Sequence, residues 1–468
     1  MDHIAALKEA IGRPDAVVTD PDILVSACTD WRGWYGGRAL ALLRPKDVSE
    51  VQRAVAACAR LRIPLVPQGG NSSLAGASTP SPDGSNVVLS LQHLNRIRAI
   101  DASSWSMNVD AGVPLSAVQQ AAAMHDRHFG VDLGARDTAR VGGLISTNAG
   151  GMSVLRYGSM REQVLGLEVV LPDGSVWNGL RGLRKDNSGV DLKHLFIGAE
   201  GTLGVITAAT LRLHPPERHS ATLLLAVKDL DVISTIVDAL LETGQVSALE
   251  LMPTWAVELA CREILRCRPP LETGAEWLIQ AKLAGRRPVM EQAEEVAASL
   301  IENGSVLDAI LADGAKQETL WAIRDEFAPV HKWLGHSARF DLSVPLGRIP
   351  ELIRKLEAAI LPIDRELRHF SFGHLGDGNL HFSVFRRLDA NDGLALPEEA
   401  IDAAVNQTVW SMGGSISAEH GVGLLHRDQL VGQKPAEELR LQKRIKALLD
   451  PQDLFNPGKV FIPGTRDA

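Results

Sequence analysis

The eight residues His374-Leu-Gly-Asp-Gly-Asn-Leu-His381 constrain this chain most tightly, because they prescribe a hairpin with an imidazole at each end. Asp-Gly is the favoured dipeptide for a two-residue hairpin turn. With Asp377-Gly378 as that turn, Gly376 is expected to face Asn379, Leu375 to face Leu380, and His374 to face His381. Opposed residues on antiparallel strands share a face with Cβ atoms about 4.5–5.5 Å apart. Both imidazoles could then reach one ion at a Zn–N distance of about 2.0–2.1 Å. Taken alone, the segment reads more readily as two half-buried histidines on an ordinary hairpin. A second segment, Ser417-Ala-Glu-His-Gly-Val-Gly423, adds a carboxylate and a further histidine. Together the two segments hold the inventory of a catalytic divalent-metal site.

A chain of 468 residues is too long for one ordinary core and should form two or three domains. Its hydrophobic share of 45% and charged share of 22% describe a soluble globular protein. No apolar run approaches the roughly eighteen residues of a membrane span, and the first residues lack a basic, then apolar, leader. A cytoplasmic location is expected. The four cysteines, at 28, 58, 261 and 267, form no CxxC pair and read as buried small hydrophobes. The net charge of −9 argues against a nucleic-acid partner, but not against an anionic substrate gripped by a few arginines.

Along the chain, Asp47 and Glu50 open a helix whose stripe is Val48, Val51, Val55, Cys58 and Leu61. Three stretches rich in glycine and small polar residues follow, at 68–76, 134–151 and 198–206. Neither GxGxxG nor GxxxxGK[ST] occurs, which excludes the standard nucleotide fingerprints. Such loops expose backbone N–H groups and can form anion sites, so three in one domain favour a large phosphate-bearing cofactor. From about residue 216 strands alternate with helices: strands at 221–227, 247–251 and 277–283, helices at 232–241 and 290–300. This suggests a ferredoxin-like α/β sandwich. Residues 430–449 read as mostly helical, and the end as a cap returning to the core.

Several ordered motifs, among them Pro67-Gln-Gly-Gly-Asn-Ser-Ser-Leu-Ala-Gly76, Thr147-Asn-Ala-Gly-Gly151, Leu155-Arg-Tyr-Gly158, Leu195-Phe-Ile-Gly-Ala-Glu-Gly-Thr-Leu-Gly204 and Asn456-Pro457, join the two histidine segments. With these motifs the chain resembles, over nearly its whole length, the FAD-dependent D-2-hydroxyacid dehydrogenases of the vanillyl-alcohol-oxidase superfamily. The resemblance implies an α+β fold. An FAD-binding domain of two subdomains (PCMH type) would span 1–215, a ferredoxin-like substrate domain 216–415, and a C-terminal segment, 416–468, would return to the flavin. It implies a cofactor site of Pro67, Gly69, Gly70, Asn71, Ser72 and Ser73 around the pyrophosphate. Gly134, Gly142, Gly143, Ser146, Asn148, Gly150, Glu200, Gly204, Ile206 and Asn456 would complete that site. The 68–73 loop has no histidine, so non-covalent FAD is expected.

The same resemblance makes His374, His381 and Glu419 ligands of zinc or another divalent metal, and His420 the general base. Three protein ligands leave a coordination position open, as in catalytic sites. The implied reaction takes a D-2-hydroxy acid to its 2-oxo acid, with hydride to flavin N5. Electrons would pass on to an electron-transfer flavoprotein or quinone-linked carrier. Arg324, Arg339, Ser383 and His420 would bind substrate. Ala328, Arg339 and Ser383 stand where members specific for 2-hydroxyglutarate carry Thr, Lys and Asn. D-2-hydroxyglutarate is the first expectation, with D-malate, D-lactate or a larger D-2-hydroxy acid as alternatives, and a homodimer is left open. Two rival readings are a flavin-dependent transferase of the alkylglycerone-phosphate-synthase kind and a flavoprotein subunit of a glycolate-oxidase-like assembly.

Overall fold

A computed structural model describes residues 2–387 and 394–461. The last seven residues of the expected C-terminal segment therefore lie outside the described part. The chain divides into two compact units, one of residues 1–150, 158–215 and 419–468, the other of residues 151–157 and 216–418.

The first unit contains two sheets over one hydrophobic core. The smaller sheet is built from β1 (Val17–Val18), β2 (Ala39–Leu43), β3 (Leu65–Gln68) and β4 (Asn86–Ser90), in the order β1-β2-β4-β3. β4 runs parallel to both β2 and β3. The connection from β2 to β3 is helix Val48–Leu61, where Asp47 caps the start by accepting from Glu50 N at 2.9 Å. Val51, Val55 and Cys58 of the expected stripe are buried against the sheet core. The larger sheet is antiparallel: β5 (Ile97–Asp101), β6 (Ser106–Asp110), β7 (Val164–Val170), β8 (Val176–Asn178) and β9 (Val205–Arg212), ordered β5-β6-β9-β7-β8.

The C-terminal segment closes this unit. Leu65 N donates to Leu454 O and Asn456 N to Leu65 O, at 2.7 and 2.8 Å, so the segment continues the sheet beyond β3 and buries Leu454 and Phe455 in the core. Before it, the expected long helix is interrupted: helix Leu430–Gln433 ends at Lys434, and Pro435 precedes helix Ala436–Leu449. Proline disfavours helical backbone in the residue before it.

The second unit has a seven-stranded antiparallel sheet formed by β10 (His219–Val227), β11 (Val246–Pro253), β12 (Trp277–Gly285), β13 (Asp308–Ala312), β14 (Ser337–Ser343), β15 (Leu367–His374) and β16 (Asn379–Arg386). The order is β13-β10-β12-β11-β15-β16-β14. Its first four strands, with helices Ile233–Glu242 and Met290–Glu302, run βαββαβ; the sequence reading named three of these strands and both helices, and β13 is added by the structure. On one face those helices, together with Ile349–Ile360 and Glu398–Ser411, cover an aliphatic core. On the other, helices Thr254–Leu259, Gly314–Asp325 and Phe327–Leu334 meet a core containing Phe370, Phe372 and Phe385. Among the described residues no helix is long and apolar enough to cross a membrane. Cys28, Cys58 and Cys261 are buried as expected, whereas Cys267 is exposed.

Candidate active site

The hairpin forms, but with a different turn. Residues 375–378 make a four-residue turn, and Phe372, not His374, lies opposite His381. The register therefore differs by two residues from the expected one. Side chains alternate with period two, so a shift of two keeps both histidines on the same face, where a shift of one would have separated them. Their rings stand edge to face with centroids 5.3 Å apart, and each offers a ring nitrogen within 4.8 Å of the other's. The glycines of the turn stand where the surrounding structure leaves no room for a side chain. A Cβ on Gly378, at φ +80°, would lie 2.1 Å from Val344 O, and one on Gly376 would lie 2.6 Å from Leu155 Cδ2. Leu155 belongs to the short helix Val154–Tyr157, which locks into the second unit through Arg156 to Gln245 O at 3.1 Å and Tyr157 Oη to Glu217 at 2.8 Å.

Sheet register explains the rest of this face. His374 pairs with Glu250 across β15 and β11, and His381 with Asp341 across β16 and β14. Glu250 hydrogen-bonds His374 Nδ1, and Asp341 Oδ1 lies 3.5 Å from His381 Nδ1. Asp341 is itself fixed by Asn379 Nδ2 at 2.9 Å. Each imidazole thus has a carboxylate behind it, the arrangement that orients metal-ligating histidines. This donor set fits a divalent metal.

Arg324, on helix Gly314–Asp325, donates through Nε to Glu250 Oε2 at 2.6 Å, and its guanidinium lies 4.9 Å from the Phe372 ring centroid. Burial alone would raise the Glu250 carboxyl; Arg324 and then His374 outweigh it and lower it to about 2. Arg339 and Ser383 are cross-strand partners on β14 and β16. Ser383 is buried, while Arg339 is exposed with Nε on Ser337 Oγ at 3.2 Å. Ala328 is an exposed residue of the next helix. Sequence reasoning missed Glu250 and Asp341. Only the strand pairing reveals them, since each is remote in sequence from its histidine.

The strand-like segment leading to Glu419 belongs to the second unit: Ser415 bridges Ser343, Ser417 bridges Asp341, and Ala418 N donates to Asp341 O at 3.1 Å. Glu419 and His420 follow directly and open the last segment of the first unit, both half-buried. There the irregular backbone that follows them to Gly423 is held by Glu200. Its carboxylate accepts from Val422 N at 2.7 Å and Gly423 N at 2.9 Å, with Gly421 and Gly423 at φ +79° and +48°.

Within the first unit, four of the expected cofactor residues share a conformation. Asn71, Asn148, Glu200 and Asn456 all have left-handed backbone, at φ +54°, +52°, +49° and +49°. Non-glycine residues adopt it rarely, and functional sites concentrate it. Their side chains tie distant segments together. Asn71 bonds Thr29 O and Ser78 Oγ at 2.8 and 2.9 Å, Asn148 accepts from Arg161 N and Ser159 Oγ at 2.9 Å, and Asn456 donates to Ala77 O and Glu200 O at 2.8 Å. These hydrogen bonds tie the four side chains into the scaffold.

Pro67 lies in β3, and the loop that follows the strand, through Ser72 and Ser73, is tightly fitted at Gly70, where a Cβ would lie 1.8 Å from Thr138 O. Gly142, Gly143 and Ser146 lie on helix Val141–Thr147, followed by Gly150. Nothing lies within 4 Å of where a side chain on Gly134 or Gly143 would begin. Gly204 packs against Val169, and Ile206 is buried in β9. A cleft of about 660 Å³ beside Gly70 and Asn71 is lined also by Arg44, Gln92 and His93, which sequence reading did not find. Near the loop, Thr79 Oγ1, Arg140 Nε and Asn456 Oδ1 are buried polar atoms without a protein partner. Clefts of this size hold small molecules, and the cradle and orphaned polar atoms fit FAD.

The chain matches two family models: "FAD binding domain" over residues 39–179 and "FAD linked oxidases, C-terminal domain" over residues 216–460. It is 36% identical over 463 residues to the mitochondrial D-2-hydroxyglutarate dehydrogenase of Bos taurus, covering 98% of this chain and 83% of the relative. It is 31% identical to D-2-hydroxyglutarate dehydrogenase of Stutzerimonas stutzeri, covering 96% of each. In fold it is similar to p-cresol methylhydroxylase with substrate bound, at TM-score 0.75 and 18% identity, covering 100% of this chain and 97% of that one. The relatives overturn one expectation. Those of Bos taurus, Rattus norvegicus and Arabidopsis thaliana are named mitochondrial, so the cytoplasmic location does not stand. Charge and hydropathy do not encode compartment, because targeting is an address read by receptors.

Proposed function

This chain belongs to the FAD-linked oxidase family as an FAD-dependent dehydrogenase acting on a CH–OH donor, and on that premise we propose that it oxidises a D-2-hydroxy acid to the 2-oxo acid, D-2-hydroxyglutarate first. The observation that carries this reading is the sheet face on which His374 and His381 stand side by side with two arginines on the same unit, Arg324 and Arg339. Such a face suits a metal-assisted grip on an anionic hydroxy acid.

When bound, FAD supplies a hydride acceptor and a divalent metal favours ionisation of a hydroxyl. The chain's own residues do the rest. His374, His381 and Glu419 hold the metal. The guanidiniums of Arg324 and Arg339 orient carboxylates, which suits planar forked donors, and Ser383 offers a hydroxyl beside Arg339. His420 takes the hydroxyl proton on a ring nitrogen. Glycine-loop backbone holds FAD non-covalently, and an electron-transfer flavoprotein or quinone-linked carrier takes the electrons onward.

Purified protein mixed with D-2-hydroxyglutarate, D-malate, D-lactate, glycolate and larger D-2-hydroxy acids should show flavin bleaching by at least one of them, strongest with D-2-hydroxyglutarate, and a chelator should suppress it. If none bleaches the flavin the reaction class is wrong, and if chelation changes nothing the metal's role is wrong. His420→Ala is expected to lose flavin reduction by about 100-fold or more with FAD and metal contents unchanged. Loss of metal in that variant would make position 420 a ligand instead.

A further inference from the structure

Glu250 lies on β11, 124 residues before His374, and is fully buried. Its two carboxylate oxygens are divided between two tasks: Oε1 meets His374 Nδ1, and Oε2 takes the Nε–H of Arg324 at 2.6 Å. A buried carboxylate is costly unless its charge is paired and its lone pairs are bonded. Here one cation and one imidazole satisfy it, and the β11–β15 register that opposes Glu250 to His374 makes the contact a property of the sheet, not of a loop.

We propose that Glu250 is the positioning residue that couples the metal-binding and anion-binding halves of this site. The proposal rests on the metal reading given above. With Nδ1 committed to the carboxylate, any metal bond from His374 is made by Nε2, so Glu250 selects the tautomer as well as the ring orientation. With Nε of Arg324 also committed, the guanidinium can meet a substrate carboxylate only through its terminal nitrogens, and the side chain is only 12% exposed, with the guanidinium over the Phe372 ring. One carboxylate thereby sets where the ion and the anion are held relative to each other.

The test compares the holoenzyme with Glu250→Gln, Arg324→Gln and the double variant. Each is titrated with a chelator while residual metal and bound FAD are measured, and KM and kcat are recorded. Glu250→Gln is expected to lose metal at about 10- to 100-fold lower chelator with FAD content unchanged and KM raised. Arg324→Gln should raise KM and leave metal retention as in the wild type. If Glu250→Gln does not fold because Arg324 is left uncompensated, the double variant removes that charge and should show the same metal loss. Glu250→Asp, which keeps the charge, should recover part of the retention. A metal-loaded wild type whose folded Glu250 variants keep metal as tightly overturns this inference alone. A wild type that holds no divalent metal overturns the metal reading and this inference with it.

Discussion

At the scale of single residues, the first unit depends on groups whose chemistry is bent by their surroundings. Burial raises the Glu200 carboxyl from 4.5 to about 7, against the lowering effect of the amides of Val422 and Gly423. Between those two pH values the folded protein holds a proton that the unfolded chain has lost. Stability from this group is therefore full below about 4.5 and falls as pH rises through about 7, by roughly 1.4 kcal/mol per pH unit. Denaturant melts of wild type and Glu200→Gln from pH 5 to 7 should show the wild type's relative stability declining on that slope, and parallel curves would refute it. Glu200 and Asn456 were singled out in the sequence by the motifs that contain them, but the bonds they make were not legible there. A motif shows that a residue matters near a site, whereas its left-handed backbone and its bonds to Val422, Gly423 or Ala77 exist only in the fold. Glu250 and Asp341 left no such trace, because a lone acid in an apolar strand looks like an ordinary alternation.

At the scale of elements, the β15–β16 hairpin shows what a sequence encodes and what it leaves to packing. Asp-Gly announced a turn, and the period of two kept His374 and His381 on one face. The turn length and the two-residue offset in register appear only in the strand pairing, and the close approach of Val344 O and Leu155 requires glycine at 378 and 376. Strands β10, β11 and β12 and the two helices of the βαββαβ half were readable because they are strongly patterned, whereas β13 was not read. The β14 strand was not either, since Ser-Ala-Arg-Phe-Asp-Leu-Ser carries two charged residues on its site-facing side. Gly378→Ala should cost about 2–3 kcal/mol, from a left-handed residue given a side chain against a carbonyl. The melt should fall accordingly and metal retention should weaken, because both imidazoles hang from this turn. An unchanged melting temperature would show that the turn can relax.

At the scale of the whole molecule, the chain builds its first unit from three separated stretches, so Leu454 and Phe455 near its end are part of a core laid down hundreds of residues earlier. Phe455, 2% exposed, fills that core beside the β3 edge, and Lys446 bonds Thr202 O and Phe455 O at 2.9 and 2.8 Å. Phe455→Ala should therefore cost about 3–5 kcal/mol, read as a lowered melting temperature with reduced FAD occupancy; a near-neutral effect would mean that the C-terminal segment is dispensable. The strand-like run Ser415–Ala418 has a similar double character. It bridges the outer side of β14, the last strand of the seven, where unpaired amides and carbonyls would otherwise invite another chain to add on. Substitutions there would open a sticky seam between molecules as well as disturb the residues that follow. A screen for inactive variants in this run would gather precipitating proteins alongside catalytic failures, and the yield of soluble protein would tell the two apart.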